Sequence, residues 1–257
     1  MISVIIPVLN ERESIGLVLR DLPRRLVGQV IVVDNGCGDD SAAIAARAGA
    51  QIVRQPSRGY GAACLAGISA LDPRADVVVF LDGDYSDFPE ELEDLVAPIL
   101  RGEADLVIGS RVMKRENRGA LLPQAYWGNK LATFLIRCFW RFSYTDLGPF
   151  RAVRRTSLRA LDMRDRSFGW TVEMQIKALR AGLRVKEIPV RYRKRIGRSK
   201  ISGTLGGTLS AGAKILLTIF KYGLMTGQGE LPLFPDSPRM AELGGRTATQ
   251  ARRRSAG

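Results

Sequence analysis

The sequence predicts an α/β protein built on a doubly wound, mostly parallel sheet with helices on both faces. Two features carry that expectation. Short β-branched runs without polar alternation recur through the first 110 residues, as strands covered on both faces require. Segments with apolar residues three and four apart lie between them, which is the alternation of βαβ units. The size allows it: 257 residues, 46% hydrophobic and 25% charged, suffice for one large domain or two small ones, and exclude wholesale disorder.

The elements follow in order. Ser3–Val8 is the first strand, and Ile15, Leu19 and Leu22 mark the helix after it. Gln29–Val33 is the second strand, with a helical pattern over Ala42–Ala48. Ile52–Arg54 is a weaker third, followed by a helix over Ala62–Leu71. Asp76–Leu81 is the strongest strand, and Leu92, Leu95, Ile99 and Leu100 give the next helix; Asp105–Gly109 is a fifth strand. In the second half, Leu131, Leu135, Cys138 and Phe142 form one stripe of a helix, with Lys130, Arg137 and Arg141 on another. Trp170–Ala178 reads as helical. A C-terminal amphipathic helix over 210–225 places Leu216, Ile219, Phe220 and Leu224 on one face and Lys214 and Lys221 on the other. Basic amphipathic helices suit packing on their own domain or lying in a membrane interface. Residues 1–226 are expected to form the folded domain, and 227–257, ending near Arg252-Arg253-Arg254, a flexible basic tail.

Charge is divided unevenly. Residues 1–110 carry nine Lys/Arg against 17 Asp/Glu, whereas residues 111–257 carry 30 against nine, for a net +13 overall. The basic half suits an anionic partner such as phosphate, nucleic acid or lipid headgroups. There is no histidine, which excludes imidazole bases, His-dependent triads and His-ligated zinc. Cys37, Cys64 and Cys138 form no C-x-x-C pair, as befits a reducing compartment. The N-terminal run to Pro7 lacks a basic leader, and no apolar stretch reaches the ~18 residues of a membrane span. A cytoplasmic protein, with peripheral contact at the membrane face, is the expectation.

Chemistry-bearing residues gather at the strand ends, where open α/β sheets bind ligands. The first strand runs into Pro7 and Asn10-Glu11, the second into Asp34-Asn35-Gly36, the fourth into Asp82-Gly83-Asp84 and the fifth into Gly109-Ser110-Arg111. Asp82 and Asp84, one glycine apart at a strand end, suit a hard cation, Mg²⁺ or Mn²⁺. A lone Asp-Gly-Asp is more often a solvated turn; the other rim residues favour the cation.

Those segments resemble the inverting glycosyltransferases of family 2, which have the GT-A fold. Asp146-Leu-Gly-Pro-Phe150-Arg151 and Arg195-Ile-Gly197-Arg-Ser199-Lys200 look most like the dolichyl-phosphate mannose synthase branch, and the ordered match runs over residues 2–225. The resemblance implies a nucleotide-sugar donor, GDP-mannose or UDP-glucose, and a polyprenyl phosphate acceptor. It makes residues 1–110 the donor-binding half and 111–226 the acceptor-binding half. It surrounds the donor nucleoside with Pro7, Asn10, Glu11 and Asp34, and matches Asp82, Gly83 and Asp84 to the Asp-x-Asp that meets the diphosphate through a metal. It marks Arg111, Arg151 and Lys200 as phosphate-binding cations. Two departures stand out: Ser86 replaces a Gln frequent in relatives, and Lys194 stands where they carry an arginine, leaving Arg193, Lys194 and Arg195 open for that role.

The acceptor decides the mechanism. An alcohol acceptor needs a general base, for which Asp146 or Glu173 is available, Glu173 equally suiting an ion pair with Lys177 one turn on. A phosphate acceptor is already anionic and needs only positioning. A soluble or non-phosphate acceptor is the alternative within the family. A non-catalytic anion- or nucleic-acid-binding protein is more distant, because aromatic platforms are missing from the basic run except Tyr192, so no nucleic-acid partner is expected. Gly59-Tyr60-Gly61-Ala-Ala-Cys64 follows the third strand rather than the first, and reads as a helix-opening loop near the donor rather than a nicotinamide motif.

Overall fold

The computed structural model describes residues 1–117, 119–197 and 205–225. The first half alternates as expected: β1 (Ile2–Val8), α1 (Ile15–Asp21), β2 (Val27–Asp34), α2 (Ser41–Arg47), β3 (Gln51–Arg54), α3 (Tyr60–Ser69), β4 (Val77–Phe80), α4 (Leu92–Leu100) and β5 (Leu106–Ser110). The second half adds α5 (Pro123–Trp140), β6 (Arg151–Arg154), α6 (Arg155–Leu161), α7 (Trp170–Arg180), β7 (Val185–Pro189) and α8 (Leu205–Met225). Among the described residues the strands form one seven-stranded sheet in the order β3-β2-β1-β4-β6-β5-β7. β6 is antiparallel to both neighbours, and every other pairing is parallel.

The unbroken apolar strands are explained by what covers them. Ile5, Ile31, Val78 and Phe80 point to one face, packed by Ala63 and Cys64 of α3, Ile136 of α5, Trp170 of α7 and Ile219 of α8. Val4, Ile6, Val32, Val77 and Val79 point to the other, against Val18 and Leu19 of α1, Ala45 of α2 and Leu95 and Ile99 of α4. The four residues of β4 are at most 1% exposed, and each such side chain contributes roughly 1.5–3 kcal/mol relative to exposure.

The antiparallel β6 positions the site. It pairs Phe80 with Arg151 and Ile108 with Arg151, so its start lies beside the ends of β4 and β5. The loop at 146–150 is thereby delivered to the carboxyl rim.

Two helix expectations are corrected. In α5 the buried face is Asn129, Ala132, Thr133, Ile136 and Trp140, whereas Leu131 and Cys138 of the expected stripe are exposed. Trp127, Leu131 and Phe134 form an outward apolar stripe instead. Leu100 of α4 is likewise exposed. The expected tail at 227–257 lies outside the described residues.

Candidate active site

The ends of β1 and β4, joined by the segments before α3 and after β7, enclose a cleft of about 460 Å³. Pro7, Glu11, Asp82, Gly83, Asp84 and Arg195, all expected from sequence, line it together with Asn35, Arg58, Gly59, Tyr60 and Phe168. Asn10 and Asp34, also expected there, do not line it; Asn10 lines a separate hollow with Glu11 and Asp39. Asn10 takes a left-handed conformation (φ 56°), and its Oδ1 accepts the Gly38 N–H at 2.7 Å, tying the β1 loop to the β2 loop. Asp34 Oδ1 accepts the N–H groups of Gly36 and Cys37 at 3.1 and 2.8 Å, which closes the turn after β2.

The two aspartates are held differently. Asp82 Oδ1 accepts the Tyr60 hydroxyl at 3.1 Å. Burial, and then the Asp84 charge, push the Asp82 carboxyl up to about 7, while Tyr60, Arg195 and Arg111 act in the opposite direction. Burial and the Asp82 charge keep the Tyr60 hydroxyl well above its ordinary value, so it remains a donor. Asp84 Oδ1 accepts the Ser86 N–H at 2.9 Å and its hydroxyl at 2.6 Å, so Ser86 orients the carboxylate by a direct bond. The other oxygen of Asp84 lies 3.2 Å from an Arg195 nitrogen that also donates to Glu11 Oε1 at 3.0 Å. Gly83 lets the chain pass close to β1, since a Cβ there would lie 3.0 Å from the Val8 side chain, tighter than most such contacts.

Arg195 reaches the cleft because the segment after β7 is sewn onto the loop after β4. Arg193 N–H donates to Ser86 O, and Ile196 N–H to Asp84 O, both at 3.0 Å. The Arg193 guanidinium stacks 3.5 Å from the Tyr85 ring centre and 4.0 Å from that of Phe88. Of the three cations left open by sequence, Arg193 is thus used in stacking, Lys194 is exposed, and Arg195 enters the cleft.

Arg111 and Asp146 form a buried pair beside this group. Arg111 donates Nε and Nη2 to the two carboxylate oxygens at 2.8 and 2.7 Å, and its backbone N–H at 2.8 Å. Asp146 is fully buried, so it holds Arg111 and is not disposed as a base. Glu173, the other candidate base, is 2% exposed and pairs with Lys177 at 2.8 Å, the arrangement its i+4 spacing allowed.

Arg151 departs from expectation. It is the first residue of β6, with no exposure, and donates to the carbonyls of Thr171 at 2.9 Å, Leu147 at 3.3 Å and Gly148. Its charge is spent bracing the 147–148 loop rather than facing a phosphate. Lys200 lies outside the described residues.

Sequence reasoning missed several neighbours. Asn35 binds Gly59 N–H and the carbonyls of Gln55 and Ser57, closing the cleft wall, and an Asn directly after the β2 aspartate was its only signal. Phe168 and Arg58 lie in segments without periodicity. Asp87 is 1% exposed, and neither carboxylate oxygen has a hydrogen-bond partner among the described residues. Burial, then the charges of Asp82 and Asp84, raise its carboxyl well above the usual range.

The fold and rim define a GT-A glycosyltransferase architecture. The crystal structure of glucosyl-3-phosphoglycerate synthase from Mycobacterium tuberculosis, in complex with Mn²⁺, UDP and phosphoglyceric acid, superposes with a TM-score of 0.71 at 24% identity, covering 92% of this chain and 80% of that one. Residues 3–161 match the model of glycosyl transferase family 2, and the chain belongs to that family. An uncharacterized glycosyltransferase of M. tuberculosis is 39% identical over 212 residues, 82% of this chain and 94% of the relative. The undecaprenyl-phosphate mannosyltransferase of Micrococcus luteus is 32% identical over 236 residues, 86% of this chain and 93% of the relative. The branch resemblance drawn from the two later motifs agrees with this second relative.

Proposed function

We propose that this family 2 enzyme moves a hexose with inversion from a nucleotide sugar to a polyprenyl phosphate at a membrane surface. The observation that carries the acceptor class is the engagement of both candidate bases: Asp146 is locked to Arg111, and Glu173 to Lys177 and backbone N–H groups. An anionic phosphate oxygen needs no such base and attacks the anomeric carbon directly once positioned. The similarity to the M. luteus mannosyltransferase supports the same choice.

On this reading, Pro7, Glu11 and Asn35 receive the donor's nucleoside end, and Arg195 binds its diphosphate with charge-assisted hydrogen bonds. Glu11 holds that guanidinium in place. Arg111, oriented by Asp146, adds positive potential beside Asp82, and Lys200 is assigned to phosphate by its motif. Asp82 and Asp84 offer hard oxygens, and among the described residues no group of three or more His, Cys, Asp or Glu closes a cation site by itself. That set fits Mg²⁺ or Mn²⁺, which take one or two carboxylates and complete their shell with substrate phosphate and water. The bound metal supplies neutralisation of the departing diphosphate.

The membrane surface is assigned to α5 and α8, which pack together through Phe139 and Phe220, ring centres 5.9 Å apart. Trp127, Leu131 and Phe134 on α5, and Leu217, Phe220 and Leu224 on α8, expose 43–75% of their area, with Lys130, Arg137 and Lys221 nearby on the same helices. Apolar side chains beside cations suit an anionic lipid interface. Among the described residues no helix is long and apolar enough to cross a membrane.

The test is transfer from radiolabelled GDP-mannose or UDP-glucose to undecaprenyl phosphate with Mn²⁺. Acid-labile label should move into the organic phase, and Asp84→Ala should abolish this while the protein stays folded. Label transferred only to water-soluble phosphorylated acceptors would overturn the lipid assignment.

A further inference from the structure

Glu173, left without a catalytic role, sits at the centre of a connection between α8 and the donor cleft. Its carboxylate accepts the backbone N–H groups of Arg164 and Asp165 at 3.1 and 2.8 Å, Lys177 Nζ at 2.8 Å, and the Tyr222 hydroxyl of α8 at 2.9 Å. A second link from α8 runs from Lys214 Nζ to the Asp165 carboxylate at 3.1 Å. The segment so fixed, 164–168, does two things at the site. Its carbonyls cap α3: Gly61 N–H donates to Ser167 O at 3.2 Å, and Ala62 N–H to Arg166 O at 2.9 Å, where α3 has no side-chain cap. Its far end places Phe168 in the cleft wall. The capped turn carries Tyr60, whose hydroxyl donates to Asp82.

We infer that Glu173 is a positioning residue through which the seating of α8 sets the geometry of the donor cleft. The order of contact is continuous: Lys214 and Tyr222, then Asp165 and Glu173, then the 164–168 carbonyls, then the first turn of α3, then Tyr60 and Asp82. The approach of the middle links is tight, since a Cβ at Gly59 or Gly61 would lie 2.2 or 2.1 Å from the carbonyl oxygens of Arg166 and Asp165. A shift of 164–168 therefore moves α3's first turn with it. A lipid surface that engages α8 then acts on donor binding through bonds already in place. This consequence rests on the proposed membrane and donor assignments, whereas the coupling itself rests on the bonds alone.

The experiment compares the full-length wild type with Tyr222→Phe, Lys214→Met and their combination, and with Gly212→Ala, where a Cβ meets nothing within 4 Å, as a control on the same helix. Amide hydrogen exchange at Gly61 and Ala62 should quicken about tenfold in the double variant and stay unchanged in Gly212→Ala. In parallel, calorimetric titration with UDP and with GDP, each with Mn²⁺, should show several-fold weaker binding in the double variant. The single variants, with melting points near wild type, should show smaller losses in the same direction. Unchanged exchange at Gly61 and Ala62 in the double variant, whatever happens within α8, would overturn the coupling. Failure of the wild type to bind either nucleotide would instead overturn the donor assignment, and the exchange result would still decide the coupling.

Discussion

Individual residues at the rim carry opposed charges at short range, and two of them have consequences outside the reaction. Because the folded protein raises the Asp82 carboxyl to about 7, it holds a proton there that the unfolded chain releases near the ordinary value of about 3.9. Metal-free wild type should therefore lose stability as pH rises from about 4 to 7 and lose no more from this group above 7. Asp82→Asn should lack that component, and melting curves in chelator across this range, taken as the difference between the two proteins, would check it. Asp146→Asn leaves the buried Arg111 charge without its carboxylate, for which about 3 kcal/mol of lost stability is expected, measurable by urea unfolding. Many of these residues were legible in sequence: Pro7, Glu11, Asp82, Gly83 and Asp84 meet in one cleft as the strand-end rule requires, and Arg195 joins them from the motif that left it open beside Arg193 and Lys194, whereas Asn10 and Asp34 do not line that cleft. Arg151 was not, because a motif position does not reveal whether a guanidinium faces a ligand or the backbone carbonyls beneath it. Tyr85 was equally hidden: it adopts φ 62°, costly for a residue with a bulky side chain, under the stacked Arg193.

Among the elements, β1, β2, β4 and β5 were legible because burial on both faces leaves no polar alternation to confuse them; β3 was legible only weakly, and the partly buried parallel edge strand β7, Val-Lys-Glu-Ile-Pro, was not. Nor was β6. It is four residues long with arginine at both ends, Arg-Ala-Val-Arg, and its strand character comes from the two neighbours it bridges rather than from its own composition. The outward face of α5 was misassigned for a related reason, as both of its faces carry apolar residues and only packing distinguishes them. The run at Gly59–Cys64 was expected as a helix-opening loop but forms the first turn of α3 itself from Tyr60, and Gly59 and Gly61 allow the close approach of the Asp165 and Arg166 backbone. Gly61→Ala should cost about 1–3 kcal/mol, since the new methyl group meets the backbone of Asp165 and that segment must shift. Gly182→Ala makes no such contact, but its φ of 65° strains any side chain. Gly212→Ala is therefore the control, and thermal melts of the two helical variants should separate by several degrees.

At the scale of the whole molecule, the uneven charge read from sequence becomes a question of surface. If α5 and α8 dock on lipid, the protein should sediment with vesicles containing anionic phosphatidylglycerol at low salt and less so at 0.5 M salt, where electrostatic attraction is screened. Replacing Trp127 and Leu131 with Ser should reduce binding at both salt concentrations, because those side chains are already exposed and their loss leaves the core intact. Binding that persists unchanged in that variant would assign the contact to another face. The single sheet has a further implication, for synthesis. β4 pairs on its far side only with β6, so the Val-Val-Val-Phe edge formed by residue 80 waits until residue 154 has been made. At about 5–20 residues per second that interval lasts roughly 4–15 s, during which the most apolar strand of the molecule has an open hydrogen-bonding edge. The newly made amino-terminal third is thus a natural client for a ribosome-associated chaperone, and its exposure ends when the antiparallel strand arrives.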